Sequence, residues 1–293
     1  MDLKHTLTGN IRHYPQFASR ILRNRRDVLV YLPRGYHRSL RRRFPVLYLH
    51  DGQNMFDAAT SFAGVEWNAD ESAERLTKQK LIEPTILVAV ANLGKHRIHE
   101  YAPTAAVIES GPTRKKHSRG LLRRYGEFLS LELKPFIDRE YRTRPEAEFT
   151  GLGGSSLGGL ATLTLGLWFP NVFNRLAVMS PSIWWDDCVI YRILDRVEKK
   201  LPLKIWLDTG TNEPGWERAR ELRDRLLEKG WRLGDDLEYL EVRGGEHNEA
   251  AWGSRFEAVL RYLYPPLPPG TKQPPPKPRL LTTAIRWAKS AAL

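Results

Sequence analysis

The sequence predicts an α/β fold built on a mostly parallel central sheet flanked by helices. Two observations carry this expectation. Seven short apolar runs rich in β-branched and aromatic residues occur at 27–32, 45–50, 85–91, 148–151, 175–180, 203–208 and 237–242, the signature of buried strands. Between several of them lie longer stretches, 70–81, 125–141, 157–169, 216–229 and 250–264, whose apolar residues recur at three and four spacing, as helices require. Strands that alternate with helices join side by side through crossovers, and such crossovers make a sheet parallel.

Taken in order, the run at 27–32 ends at Pro33 and the run at 45–50 ends at Asp51-Gly52, so both stop where the chain must turn. The basic loop around 41–43 joins them and also allows them to pair as an antiparallel edge. In 125–141 the spacing is carried by Tyr125, Phe128, Leu129, Leu133, Phe136 and Ile137. In 157–169 it is carried by Leu157, Leu160, Ala161, Leu165 and Trp168, and in 250–264 by Trp252, Phe256, Val259, Leu260 and Leu263. Residues 1–264 thus read as one domain.

Beyond Tyr264 the composition changes. Eight prolines fall within 265–278, so 265–279 reads as an extended polyproline linker. It leads to 280–293, a short basic amphipathic helix with Leu280, Leu281, Ala284, Ile285 and Ala288 on one stripe and Arg286 and Lys289 off it. Docking on its own domain or on a second copy of the chain, as a homodimer, is the expected use of that helix, with a membrane surface as the other destination.

No apolar leader follows the polar residues 1–10, no run is long enough to span a membrane, and Cys188 is the single cysteine. These features exclude an intrachain disulfide framework and place the expected protein in the cytoplasm. The net charge of +12 draws polyanions, and basic residues cluster at 20–26, 38–43, 114–119 and 123–124. No zinc-finger spacing, aromatic RNA-binding signature or basic heptad accompanies them, so specific nucleic-acid binding is not expected. A cationic rim favouring anionic substrates is the functional reading of that charge.

The chemistry is concentrated at 148–162, where a strand pattern runs into glycines and serines and then into a helix. Only GSSLG at 154–158 satisfies G-x-S-x-G, because centring on Ser155 would require glycine where Leu157 stands. This spacing resembles the nucleophile elbow of α/β-hydrolases and makes Ser156 the candidate nucleophile. The serine sits on a sharp turn where side chains two positions away would collide, and glycine relieves that crowding. No Gly-Lys-Ser/Thr ending is present to make the turn a phosphate loop.

A serine hydroxyl needs a base to take its proton and a carboxylate to orient that base. In this fold the chain order is serine, acid, histidine, and His247 is the one histidine after Ser156. The acid should follow the strand at 203–208. Glu213 stands further along the loop that must reach His247, while its rival Asp208 closes the strand itself. One oxyanion donor is the amide of Leu157, and the other is expected from the loop after the run at 45–50, at the amide of Gln53.

These residues resemble the putative-esterase group of α/β-hydrolases, which includes enterochelin esterases, feruloyl and acetyl xylan esterases, esterase D and the mycolyltransferases. The resemblance spans about 27–264 and rests on VYLP at 30–33, HDGQNMFD at 50–57, GGSSLGG at 153–159, SPSIWW at 180–185, GTNE at 210–213 and GEH at 245–247. It implies a small-molecule ester substrate, catalysis without metal or cofactor, and Ser156, Glu213 and His247 as the triad. It also implies that Arg97, Glu100 and Tyr101 lie near the substrate pocket, with Trp184 and Trp185 close by. Many enterochelin esterases carry an N-terminal β-domain, for which the short stretch ahead of position 27 leaves no room, so the resemblance points away from a siderophore.

His96 and His99 lack the i, i+4 spacing of a helical zinc pair and read as part of a polar loop. Of Trp184 and Trp185, one is expected to line an aromatic pocket and the other to pack as core. Hydrolysis by Ser156 is the leading function. Acyl transfer to an alcohol or sugar by the same triad, and a non-catalytic binding protein on this fold, are the alternatives.

Overall fold

The computed structural model describes residues 4–38, 40–109 and 115–268. Its strands are β1 (Asn10–Ser19), β2 (Asn24–Leu32), β3 (Val46–His50), β4 (Ile86–Val90), β5 (Val107–Glu109), β6 (Lys115–His117), β7 (Thr150–Ser155), β8 (Arg175–Met179), β9 (Lys204–Gly210) and β10 (Leu237–Val242). The helices are α1 (Ala69–Lys78), α2 (Arg97–Tyr101), α3 (Leu122–Phe128), α4 (Lys134–Glu140), α5 (Leu157–Trp168), α6 (Val189–Asp195), α7 (Glu217–Glu228) and α8 (Glu249–Leu263). Eight strands form the central sheet in the order β1-β2-β4-β3-β7-β8-β9-β10, and β5 and β6 pair as a separate two-stranded ribbon.

From β4 to β10 neighbouring strands run parallel, whereas β2 is antiparallel to both β1 and β4. The strand at 27–32 is thus antiparallel, but it does not pair with the strand at 45–50. Both sides of β3 are taken by its parallel neighbours β4 and β7, so the antiparallel edge is made by β1. Nothing in the sequence pattern signals β1. Pro15 interrupts it, its exposure does not alternate, and the register slips between Tyr14 and Phe17 with Gln16 at φ 54°. Proline has no ladder donor and is tolerated at an edge or bulge of this kind.

Alternation along each strand builds a core on each face. Val28, Val30, Val46, Tyr48, Ile86, Val88, Ile205 and Leu207 meet α3, α4, α5, α6 and α7 on one side. Tyr31, Leu47, Leu49, Leu87, Ala89 and Trp206 meet α1 and α8 on the other. Helix α8 contributes Trp252, Phe256, Val259, Leu260 and Leu263 to that second core, each such side chain adding about 1.5–3 kcal/mol through burial. The stretch at 125–141 forms α3 and α4 joined by a π turn over Leu129–Leu133. Pro135, at the start of α4, cannot donate to the carbonyl one turn earlier, and the wider turn absorbs the missing bond.

The sheet grows in one direction from β3 through β4 and in the other through β7 to β10. The carboxyl ends of β3 and β7 therefore flank the point where chain direction switches, which is where α/β sheets open a crevice. The linker beyond 268 and the helix at 280–293 lie outside the described residues.

Candidate active site

Strand β7 and helix α5 meet at Ser156, which holds φ 58° and ψ −123°, a backbone conformation that costs a non-glycine residue energy and persists only where its surroundings enforce it. The surroundings do so from both sides. The Ser156 amide donates to Met179 O at 3.1 Å and its carbonyl accepts from Ser182 N at 3.0 Å. A side chain at Gly159 would lie 2.6 Å from Met179 O, and one at Gly154 would press on His50 at 3.0 Å. These glycines let the helix approach the sheet closely enough to hold the turn. The Ser156 hydroxyl stands 3.2 Å from Ser182 Oγ and hydrogen-bonds there rather than to His247.

His247 follows β10 on the loop that enters α8. Its Nδ1 lies 2.9 Å from Glu213 Oε2, and because an ionised carboxylate only accepts, Nδ1 carries the proton, so that in the neutral imidazole Nε2 is the nitrogen with the lone pair. The edge of the imidazole packs against the Trp252 indole, centroids 4.9 Å apart at 85°. Glu213 is buried, and its Oε1 accepts from Ser180 Oγ at 2.6 Å and from Gly210 N at 2.8 Å. Burial alone would raise its pKa, but the donors from His247, Ser180 and Gly210 outweigh burial and hold it below the usual glutamate range.

Asp208 turns the other way. It is wholly buried, accepts from Trp206 Nε1 at 2.7 Å and from Ser180 N at 3.1 Å, and pairs with Arg255 at 3.1 Å. Burial pushes its carboxyl up to about 6 in spite of the guanidinium. Glu213, not Asp208, is therefore the carboxylate that reaches His247.

On the other side of Ser156 the chain leaves β3 through Asp51, itself at φ 55°. Gly52 crosses so close to β4 that a side chain there would sit 2.4 Å from Val90 N. Gln53 follows, with its side-chain oxygen taking the Asn92 amide at 3.2 Å. Leu157 opens α5, where a helix leaves its first amides without intrahelical partners. Ser156, Gln53, Asn92, Arg97, Trp67, Glu249, Trp252 and His247 all line one cleft of about 370 Å³. Trp184, 46% exposed, and His247 also line an adjoining hollow of about 40 Å³ beside Glu213 and Ser182.

The expected pocket residues divide. Arg97 lines the cleft and clasps Asp51 through two bonds of 2.7 and 2.8 Å, which hold the Asp51 carboxyl low against its burial. Glu100 does not reach the cleft: it is buried against Arg26 at 2.8 Å and Asn24 at 2.9 Å. Tyr101 is buried beneath Asp51, accepting its amide at 3.0 Å. Trp185 is core, its Nε1 donating to Thr104 Oγ1 at 3.2 Å. Ser180, Trp252 and Arg255 support the site without having been read as site residues. The SPSIWW stretch was a local signal for Ser180, but Trp252 and Arg255 sit one turn apart on α8 in an ordinary amphipathic pattern.

Among the described residues no helix is long and apolar enough to cross a membrane. The family described as Putative esterase matches residues 19–263. The Bacillus subtilis protein YbbA is 24% identical over 249 residues, covering 82% of this chain and 93% of its own length. The ferri-bacillibactin esterase BesA of the same organism is 25% identical over 225 residues, covering 70% of this chain and 73% of its own. The siderophore hydrolase EstA from Aspergillus nidulans superposes with a TM-score of 0.69 at 19% identity, over 87% of this chain and 94% of that one, a likeness of fold. A family match across nearly all of the sheet and its helices, on an α/β-hydrolase topology, makes this chain a member of the putative-esterase family and a carboxylic ester hydrolase.

Proposed function

We propose that the chain hydrolyses esters through an acyl-enzyme on Ser156, with His247 as base and Glu213 as the acid that orients it. The observation that carries this reading is the 2.9 Å contact of His247 with Glu213 on the rim of the cleft that holds the strained Ser156. His247 Nε2 takes the Ser156 proton as Oγ bonds to the ester carbonyl carbon. The oxyanion that forms is met by the amides of Leu157 and Gln53. Collapse breaks the bond to the alcohol oxygen, which leaves with the proton carried by His247. Water, deprotonated by the same nitrogen, then attacks the acyl carbon and releases the acid and free Ser156.

The relation to BesA puts siderophore-type esters back among the substrates to be tried, alongside small aromatic and carbohydrate-linked esters. Arg97 supports an anionic or hydroxylated acyl group, because its Nη1 makes no hydrogen bond to a described residue while the rest of the guanidinium is held by Asp51.

The test is turnover of short-chain p-nitrophenyl esters by the wild type and Ser156→Ala, with fluorophosphonate labelling located by mass spectrometry. Turnover and a label on Ser156, both lost in the variant, are expected. No label on well-folded protein would sink the serine mechanism. A label with product formed only when an alcohol or sugar is supplied would make the enzyme an acyltransferase.

A further inference from the structure

The N-terminal segment is tied to the start of α1, and to Glu66 just ahead of it, through a group of carboxylates. Thr6 Oγ1 donates to Glu66 Oε1, Thr8 N to Asp70 Oδ2 at 2.7 Å, and Thr8 Oγ1 to Glu71 Oε1 at 2.9 Å. One oxygen of each carboxylate is thereby tied down. The other oxygen of each, Glu66 Oε2, Asp70 Oδ1 and Glu71 Oε2, is buried and meets no donor, and the Asp70 and Glu71 carboxyls lie within hydrogen-bonding reach of each other, a contact that only a shared proton or a cation satisfies. Asp70 is 0% exposed and Glu66 6%. Ligand oxygens of the three residues lie within 4.8 Å of one another. Among the described residues no lysine, arginine or histidine pairs with any of them, and the nearby His5 is engaged by Asp57 at 2.6 Å.

Two buried carboxylates and a half-buried third, each with one oxygen that meets no donor, are a costly arrangement unless something positive or protic meets them. We propose that Glu66, Asp70 and Glu71 bind a divalent cation, with calcium as the fitting ion, and that it clamps the N-terminal segment to α1. The donors are all hard oxygens with no histidine or cysteine among them, which disfavours zinc. Calcium accepts six to eight oxygens at ~2.3–2.6 Å in an irregular shell, which suits carboxylates drawn from a loop and a helix end, whereas magnesium at ~2.1 Å demands a tighter and more regular shell. The hydroxyls of Thr6 and Thr8 and solvent can complete the coordination.

The ion takes no part in ester cleavage, but it is joined to the wall of the cleft. Glu66 precedes Trp67, whose indole packs on Trp252 at 6.2 Å and Phe256 at 5.8 Å. The competing occupant is a proton: burial and the neighbouring Glu71 push the Asp70 carboxyl up to about 9.

The full chain, stripped with a chelator, is titrated with calcium by calorimetry and with terbium by luminescence, for which Trp67 is an adjacent sensitiser. Single-site binding is expected, with Tm rising about 5 °C at calcium a hundredfold above its Kd. Asp70→Asn and Glu71→Gln should each weaken binding at least ~10-fold by removing a charged ligand. If Asp70→Asn fails to fold, the partly exposed Glu71→Gln decides alone. No heat, no terbium signal and no Tm shift at millimolar calcium between pH 6 and 8 would overturn the proposal and leave the proton as occupant. Binding undiminished in both variants would equally overturn it, by placing the ion elsewhere. Neither result bears on Ser156, whose labelling is read separately.

Discussion

Ser180 Oγ lies 2.6 Å from Glu213 Oε1, and its surroundings decide which way the proton points. Trp252 Nε1 and Arg255 Nη2 both aim donors at the same hydroxyl from 3.1 Å, so its two lone pairs are used and its hydrogen goes to Glu213. A single serine thus couples α8 to the carboxylate that holds His247. Ser180→Ala should lower kcat about 10-fold by loosening Glu213. It should also cost about 1–3 kcal/mol, because two buried donors lose their acceptor. Steady-state kinetics and urea unfolding check both.

Glu213→Gln removes the charge that orients and stabilises His247, and kcat should fall by ~10³–10⁴. The variant also has a pH signature. Because the native carboxyl is held below its unfolded value, Glu213 contributes stability that is fully present above about pH 4.5 and fades as pH falls through the depressed native value. The wild type should therefore exceed the variant in unfolding free energy at pH 7, and the gap should close below pH 4.

Asp208 predicts the opposite slope. Its native pKa of about 6 stands above the unfolded value, so the folded state binds the extra proton between pH 4 and 6 and loses stability as pH rises through that window. Asp208→Asn should gain on the wild type by about 3 kcal/mol between pH 4 and pH 7. Its kcat should stay within about 10-fold, since Asp208 does not touch His247. Chemical denaturation across pH gives the first quantity, and a kcat loss as large as that of Glu213→Gln would contradict the second.

Gly159→Ala tests the elbow by space alone. With Met179 O only 2.6 Å from the new methyl group, α5 must move off the sheet, at a cost of about 1–3 kcal/mol. Fluorophosphonate labelling of Ser156 should slow in a protein that still folds, because the turn is no longer held in its strained form.

Arg97→Gln leaves the buried Asp51 with the neutral Asn92 amide but no cation, which should cost about 3 kcal/mol. A neutral residue there should also raise KM for anionic esters more than for neutral ones. Equal KM changes on both substrates would show that Arg97 only holds the loop.

How far the sequence carried these conclusions follows the range of the interactions involved. The elbow was legible because its strand, glycines, serine and helix are contiguous at 148–162, even though the atoms that crowd Gly154 and Gly159 belong to the distant His50 and Met179. His247 was legible by chain order alone. Loop position favours Glu213 over Asp208 in the sequence, but the physical reason, Arg255 and Trp206 drawing Asp208 into the core, appears only in the fold. Glu100 looked like a pocket residue for the same reason: its partner Arg26 lies on a distant strand. Strand β1 escaped notice because an edge strand with a proline and a bulge shows neither alternation nor a continuous apolar run. The tie between residues 5–8 and the start of α1 is likewise made by side chains more than fifty positions apart.

The broken ladder of β1 matters beyond this one chain. A neighbouring molecule can lengthen a sheet only by meeting an uninterrupted row of amides and carbonyls. On this border Pro15 offers no amide, and Gln16 is turned into the left-handed region with its own amide captured by Asp27 at 2.9 Å. On the opposite border β10 presents Glu238 and Glu241, the latter already bound by Arg220. Both margins are spoiled as templates for strand addition, so a very basic protein with a wide, apolar sheet is guarded against polymerising through that sheet even when crowded.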